Sequence, residues 1–178
     1  MQFKSVLIYV VVFYLFAVNH AVCAAPAKDS CDLPAGAREE LSKKYPDKRL
    51  VTLADPEEYD RKLFQKEHGA GCPGLARVNF YGDGKPTWAI VLISGENPRR
   101  RAELVVVRQG SEGWEIRSLD TTDWTPVVWR EGPGKYDALD GKKTIQTTRP
   151  VIVFCGLESW AVVFAWTGKE VERVQTSD

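Results

Sequence analysis

Histidine is almost missing from this chain: His20 and His68 are the two among 178 residues. Mechanisms built on an imidazole base, Ser-His-Asp or Cys-His, need one of them. His68 ends a charged helical segment, where the helix dipole favours a cation, and no G-x-S-x-G motif is present. Cysteine is nearly as scarce. The four cysteines form no C-x-x-C pair and no Cys/His cluster, so neither a zinc site nor a dithiol redox site is expected. Net charge is also lacking, since 24 basic residues balance 24 acidic ones. A neutral chain has no electrostatic reason to seek nucleic acid or an anionic membrane. The local exception, Arg99, Arg100 and Arg101, follows the turn-forming S-G-E-N-P and reads as a solvated hairpin tip.

The long apolar run Val6–Val18 follows Lys4 and precedes A-V-C-A-A-P-A. That order, a charged start, an apolar middle and a small-residue end, predicts a cleaved secretory signal over residues 1–24. As a helix, the run spans about 20 Å at roughly 1.5 Å per residue, too short for a hydrocarbon core of about 30 Å. No stable membrane span is therefore expected. Val22 and Ala24 suit a cut before Ala25, and Ala25 and Ala27 suit one before Lys28; the first is preferred. A lipid anchor on Cys23 is disfavoured, because His20 and Val22 stand where a bacterial lipobox usually has Leu and Gly or Ala. The predicted location is periplasmic or extracellular.

Cleavage would leave Cys31, Cys72 and Cys155. Cys155 ends the apolar run V-I-V-F-C and reads as a buried small hydrophobe. Cys31 and Cys72 flank the helical region in polar, Gly- and Pro-containing segments, so they are predicted to form a disulfide. Closing that loop is worth up to roughly 4 kcal/mol by the chain-entropy argument.

One α+β domain is predicted over residues 25–178, with a helical part at about 32–69 and a β-rich part at about 75–174. The first helix runs from about Pro34 to Tyr45, with Ala37, Leu41 and Tyr45 on one face. For the second, Asp55 is the expected N-cap, Pro56 the first helical residue, Glu58 the capping-box partner and Gly69 the stop. R-L-V-T-L between them is extended. Nine short β-branched and aromatic segments follow, separated by Gly, Pro and Asp turns, and short connections favour an antiparallel meander on which both helices pack. T-W-A-I-V-L-I and V-I-V-F-C are apolar on both faces and belong in the centre. The first of these also echoes S-W-A-V-V-F-A at Ser159, which reads equally as a duplicated hairpin or as a chance likeness of two central strands.

The stretch N-F-Y-G-D-G-K-P-T-W-A-I-V-L-I, beginning at Asn79, resembles the FG-GAP (VCBS-type) repeat of integrin-like β-propellers over about residues 79–119. The resemblance implies a calcium-binding loop with Asn79, Tyr81, Asp83 and Thr87 at the ligand positions. Asp83 is the sole carboxylate among them, so the implied affinity for calcium is weak. The same loop also reads as a plain hairpin whose D-G makes the turn. A single copy makes one blade, not a propeller.

Trp124, Trp129, Arg130, Lys135 and Tyr136 are concentrated in D-T-T-D-W-T-P-V-V-W-R-E-G-P-G-K-Y. Aromatics and Arg on rigid loops suit recognition of a protein or a sugar, while the alternative places both tryptophans in the core. No nucleophile, metal cluster or phosphate loop is recognisable. The expected function is thus an exported, non-enzymatic binding protein whose partner is a protein or cell-envelope component. An inhibitor or immunity protein against a hydrolase and a carboxylate-based hydrolase are the alternatives.

Overall fold

A computed structural model describes residues 31–95 and 101–177. The predicted signal, Cys23, Arg99 and Arg100 lie outside these. In chain order the elements are α1 (Ala35–Lys44), β1 (Arg49–Leu50), α2 (Glu58–His68), β2 (Leu75–Val78), β3 (Thr87–Ser94) and β4 (Arg101–Gln109). Then come β5 (Trp114–Thr122), β6 (Val127–Glu131), β7 (Gly134–Asp137), β8 (Thr144–Thr147), β9 (Val151–Gly156), β10 (Trp160–Trp166) and β11 (Val171–Ser177). Among the described residues, no helix is long and apolar enough to cross a membrane.

The expected α+β class, with antiparallel strands in one domain and two short helices, is what the structure has, but the single meander sheet is not. The strands divide into two sheets and a hairpin. The first sheet runs β3-β4-β5, and the outer edge of β3 is shared end to end by β1 and β2: β1 pairs with Leu92 and Ile93, and β2 with Thr87 to Ile90. The second runs β6-β9-β10-β11, all antiparallel. The β7–β8 hairpin is inserted between β6 and β9.

Alternation along the strands sorts the apolar side chains into three layers. Ala89, Val91 and Ile93 of β3 and Leu104 and Val106 of β4 meet Ile152, Phe154, Val162 and Phe164 between the two sheets. On the outer face of the first sheet, Ile90, Leu92, Val105 and Val107 meet Ala37 and Leu41 of α1. On the outer face of the second, Val151, Val153, Cys155 and Val163 meet Phe64 of α2, Ile145 of β8 and Tyr136 of β7. The central strands β3, β4 and β9 are therefore apolar on both faces because both faces are covered. Phe64 is the fully buried side chain through which α2 is anchored, and burying a phenyl group of this kind is worth about 1.5–3 kcal/mol.

Two local expectations are corrected. Asp55 does not cap α2, whose N-cap is Glu57 and has no side-chain bond. Its carboxylate instead accepts the Thr52 N–H at 2.8 Å and two bonds from the Arg49 guanidinium at 2.5 and 2.8 Å, closing the turn that precedes the helix. The G-P-G-K-Y stretch is a loop only at Gly132 and Pro133, because Gly134–Asp137 pairs with Thr144–Thr147 as β7. The Cys31–Cys72 disulfide is present, with Cα atoms 5.0 Å apart, and ties the entry to α1 to the start of β2. Cys155 is a buried free thiol.

The echoed strands differ in packing. Both β3 and β10 lie one strand in from an edge of their sheets, but Trp88 packs in the α1 layer against Trp114 whereas Trp160 packs between the sheets on Phe154.

Candidate functional site

β2 and β6 are edge strands of different sheets that lie side by side, joined where the Val128 N–H donates to the Pro73 carbonyl at 2.8 Å. The residues that end these two strands define a corner of the sandwich. Gly74, just before β2, fits only because it lacks a side chain, since a Cβ there would overlap the Val51 carbonyl and nitrogen. That close approach brings β1 and β2 onto one edge of β3 and sets where β2 lies against β6.

At this corner Arg77, Val78 and Asn79 of β2 and its exit, Gly84, Lys85 and Pro86 of the following loop, and Arg130 of β6 line a cavity of about 300 Å³. The loop is held by its own side chains. Asn79 Oδ1 accepts the Gly84 N–H at 3.2 Å, Asp83 Oδ1 accepts the Lys85 N–H at 2.9 Å, and the Gly82 N–H donates to the Asn79 carbonyl at 3.3 Å. Gly82 and Gly84 both have positive φ, as this turn demands. Arg77, Lys85 and Arg130 are exposed, and no carboxylate lines the cavity among the described residues.

Further cations border the same end of the molecule. The Arg149 guanidinium lies against Gly82, so closely that a Cβ there would overlap it. Arg108 stacks over the Tyr81 ring, 4.2 Å from its centroid, while bonded to Glu115 at 2.7 Å. Tyr81 meets Trp166 edge-on at 5.1 Å and closes the space between the sheets. Burial pushes the Tyr81 phenol above its ordinary pKa, and the positive charge of Arg108 and Arg117 partly opposes this.

This arrangement places the sequence-predicted residues as follows. Asn79 and Asp83 commit side-chain oxygens to backbone N–H groups of their own turn, and Thr87 is 1 % exposed on β3. Among the described residues, no three His, Cys, Asp or Glu side chains converge as a metal group. The aromatic and basic cluster of residues 124–136 is split. Trp124 is 64 % exposed on the β5–β6 loop. Trp129 is half-buried against the His68 ring at 4.8 Å and donates to Glu131 at 3.3 Å. Tyr136 donates to the Gly132 carbonyl at 2.5 Å, and Lys135 pairs with Asp137 at 2.9 Å. Arg130 alone of the five lines the corner cavity, where it meets Asn79. Arg77 and Lys85 complete the site and were not singled out from the sequence. An arginine between the apolar residues of A-R-V was their one available signal.

The larger cavity of about 860 Å³ beside α1 differs in kind, because its charges pair internally, Arg38 with Asp32 at 3.0 Å and Lys43 with Glu39 and Glu40 at 2.8 Å. Against known families, curated proteins and solved structures, the chain finds no match.

Proposed function

We propose that the chain is an exported, non-enzymatic binding protein that recognises its partner through the corner where β2 and β6 meet. One observation carries this reading: Arg77, Lys85 and Arg130 converge on one cavity without a lining counter-ion among the described residues. Like charges gathered at one place cost folding stability and gain it back when a ligand of opposite sign is bound. Export is supported by the order of residues in the leader and by the Cys31–Cys72 bridge, a linkage that persists in oxidising compartments. The partner is a protein or cell-envelope component that presents negative charge.

A second reading, inhibition of an extracytoplasmic hydrolase, is favoured by the exposure of Trp124 on a short loop, since an aromatic ring of this kind suits insertion into a cleft. The test is a panel of chromogenic esters, glycosides and phosphomonoesters, followed both as ligands by calorimetry and as substrates by colour. Binding without turnover is the expected result. Turnover that disappears when an acidic residue is replaced by its amide would replace the binding reading with the hydrolase.

A further inference from the structure

We infer that the β2–β6 corner is a site for a doubly charged tetrahedral oxyanion of the kind carried by a phosphate monoester; this rests on the binding-protein reading and specifies its ligand chemistry. Three cations line one small cavity, and among the described residues none of their side chains has a hydrogen bond or ion pair. A single carboxylate is matched by one guanidinium fork, so two arginines and a lysine exceed what a monocarboxylate neutralises. A phosphoryl group offers three oxygens and close to two negative charges, enough to engage two forks and an ammonium together.

The remaining donors suit the same ligand. Asn79 spends its carbonyl oxygen on Gly84, which leaves its amide N–H groups to donate. The backbone of the cavity is held on rigid parts, with Arg77 and Arg130 on strands and Lys85 on a loop pinned by two side-chain-to-backbone bonds, so ordering on binding is confined to the side chains. About 300 Å³ lies at the small end of ligand cavities, room for an oxyanion and a compact moiety attached to it.

The experiment is a titration of the chain lacking residues 1–24 with inorganic phosphate at low ionic strength, read by amide and arginine Nε chemical shifts. Saturable shifts confined to Asn79, Gly84, Lys85, Arg77 and Arg130 are expected. Arg77→Gln and Arg130→Gln should each weaken binding about tenfold, Arg130→Lys should restore part of the loss, and Lys142→Gln, outside the corner, should change nothing. Sulfate should compete and acetate should not. A sugar phosphate, close to a dianion at neutral pH, should bind in the same place, and the matching sugar sulfate, a monoanion, should bind more weakly; equal affinity for the two esters would overturn the requirement for a double charge. Shifts that fail to saturate at tens of millimolar, equal competition by acetate, or binding indifferent to both arginine substitutions would overturn the site. If the site fails while another ligand of the panel binds without turnover, the binding-protein reading stands; turnover with intact phosphate binding removes that reading and keeps the oxyanion site.

Discussion

Lys48, just after α1, donates to the Glu103 carboxylate near the start of β4. Glu103 is only 9 % exposed, and its other oxygen accepts the Tyr45 hydroxyl at 3.2 Å, so the pair fastens the end of α1 to the outer face of the first sheet. Burial opposes its ionisation, but the bonds from Lys48, Ser118 and Tyr45 outweigh burial and lower its pKa. Burial and the adjacent carboxylate push the Tyr45 phenol up to about 12.

Removing Lys48 takes the cation from a nearly buried carboxylate and leaves it only the neutral Ser118 and Tyr45 donors. Lys48→Ala is expected to destabilise the fold by about 1–3 kcal/mol, measured by urea denaturation at neutral pH. Since the folded pKa of Glu103 lies below the unfolded value, the loss should shrink as acidification protonates the carboxylate. A loss under about 1 kcal/mol would class the pair with exposed ones.

Asp55 supplies a second acid-sensitive contact. Its burial disfavours charge, yet the Arg49 fork and the Thr52 donors hold its pKa at about 2. The unfolded value is about 3.9, so this contribution is complete above that pH and is lost as pH falls toward 2. Asp55→Asn should therefore lower the melting temperature at pH 7 and leave it nearly unchanged at pH 2. An equal drop at both pH values would refute the assignment.

The cysteines should behave unequally. The Cys155 thiol, pushed up to about 12 chiefly by burial, should resist a thiol reagent in the native state and react once the chain is unfolded without reductant. Replacing Cys31 and Cys72 together by Ser should cost roughly 4 kcal/mol, the closure entropy of a loop of this length. Detection of Cys155 in a bridge by peptide mapping would contradict both expectations.

Gly74→Ala places a methyl group on the Val51 backbone, which no side-chain rotation relieves. A loss of about 2–3 kcal/mol is expected, with the larger chemical-shift changes at the β1–β3 contact and at Arg77. Wild-type stability would show that β2 has room to move at the corner.

Calcium at millimolar concentration should leave the melting temperature unchanged, because the loop oxygens of Asn79 and Asp83 already accept backbone bonds and the Arg149 guanidinium lies against Gly82 of the same loop. A calcium-dependent rise abolished by Asp83→Asn would restore the metal reading of the loop.

Strand positions were legible in the sequence because β-branched runs and Gly or Pro turns punctuate the chain locally. The division into two sheets was not. In β3, β4 and β9 both faces are apolar, and such a run carries no mark of which layer covers which face. β7 escaped notice because G-P-G resembles a turn, although Tyr136 and Ala138 keep the alternation that packs them on the second sheet. At the site, Arg130 and Asn79 stood out for separate reasons, as a basic residue among aromatics and as a loop ligand. Their meeting depends on two edge strands from different sheets lying together, a relation between distant segments that no local pattern encodes.

The bridge between Cys31 and Cys72 has a bearing on how an emerging chain is oxidised. In the exported form proposed here, with Cys23 removed along with the leader, these two thiols leave the biosynthetic machinery before Cys155 does. The first disulfide available for formation is then the native one, with no need for shuffling. When the third thiol arrives it is carried by β9, a strand flanked by β6 and β10 and covered by α2 and the hairpin, so closure of the second sheet withdraws it from exchange. An odd number of cysteines, ordinarily a hazard for mispairing, is managed by the order in which they appear.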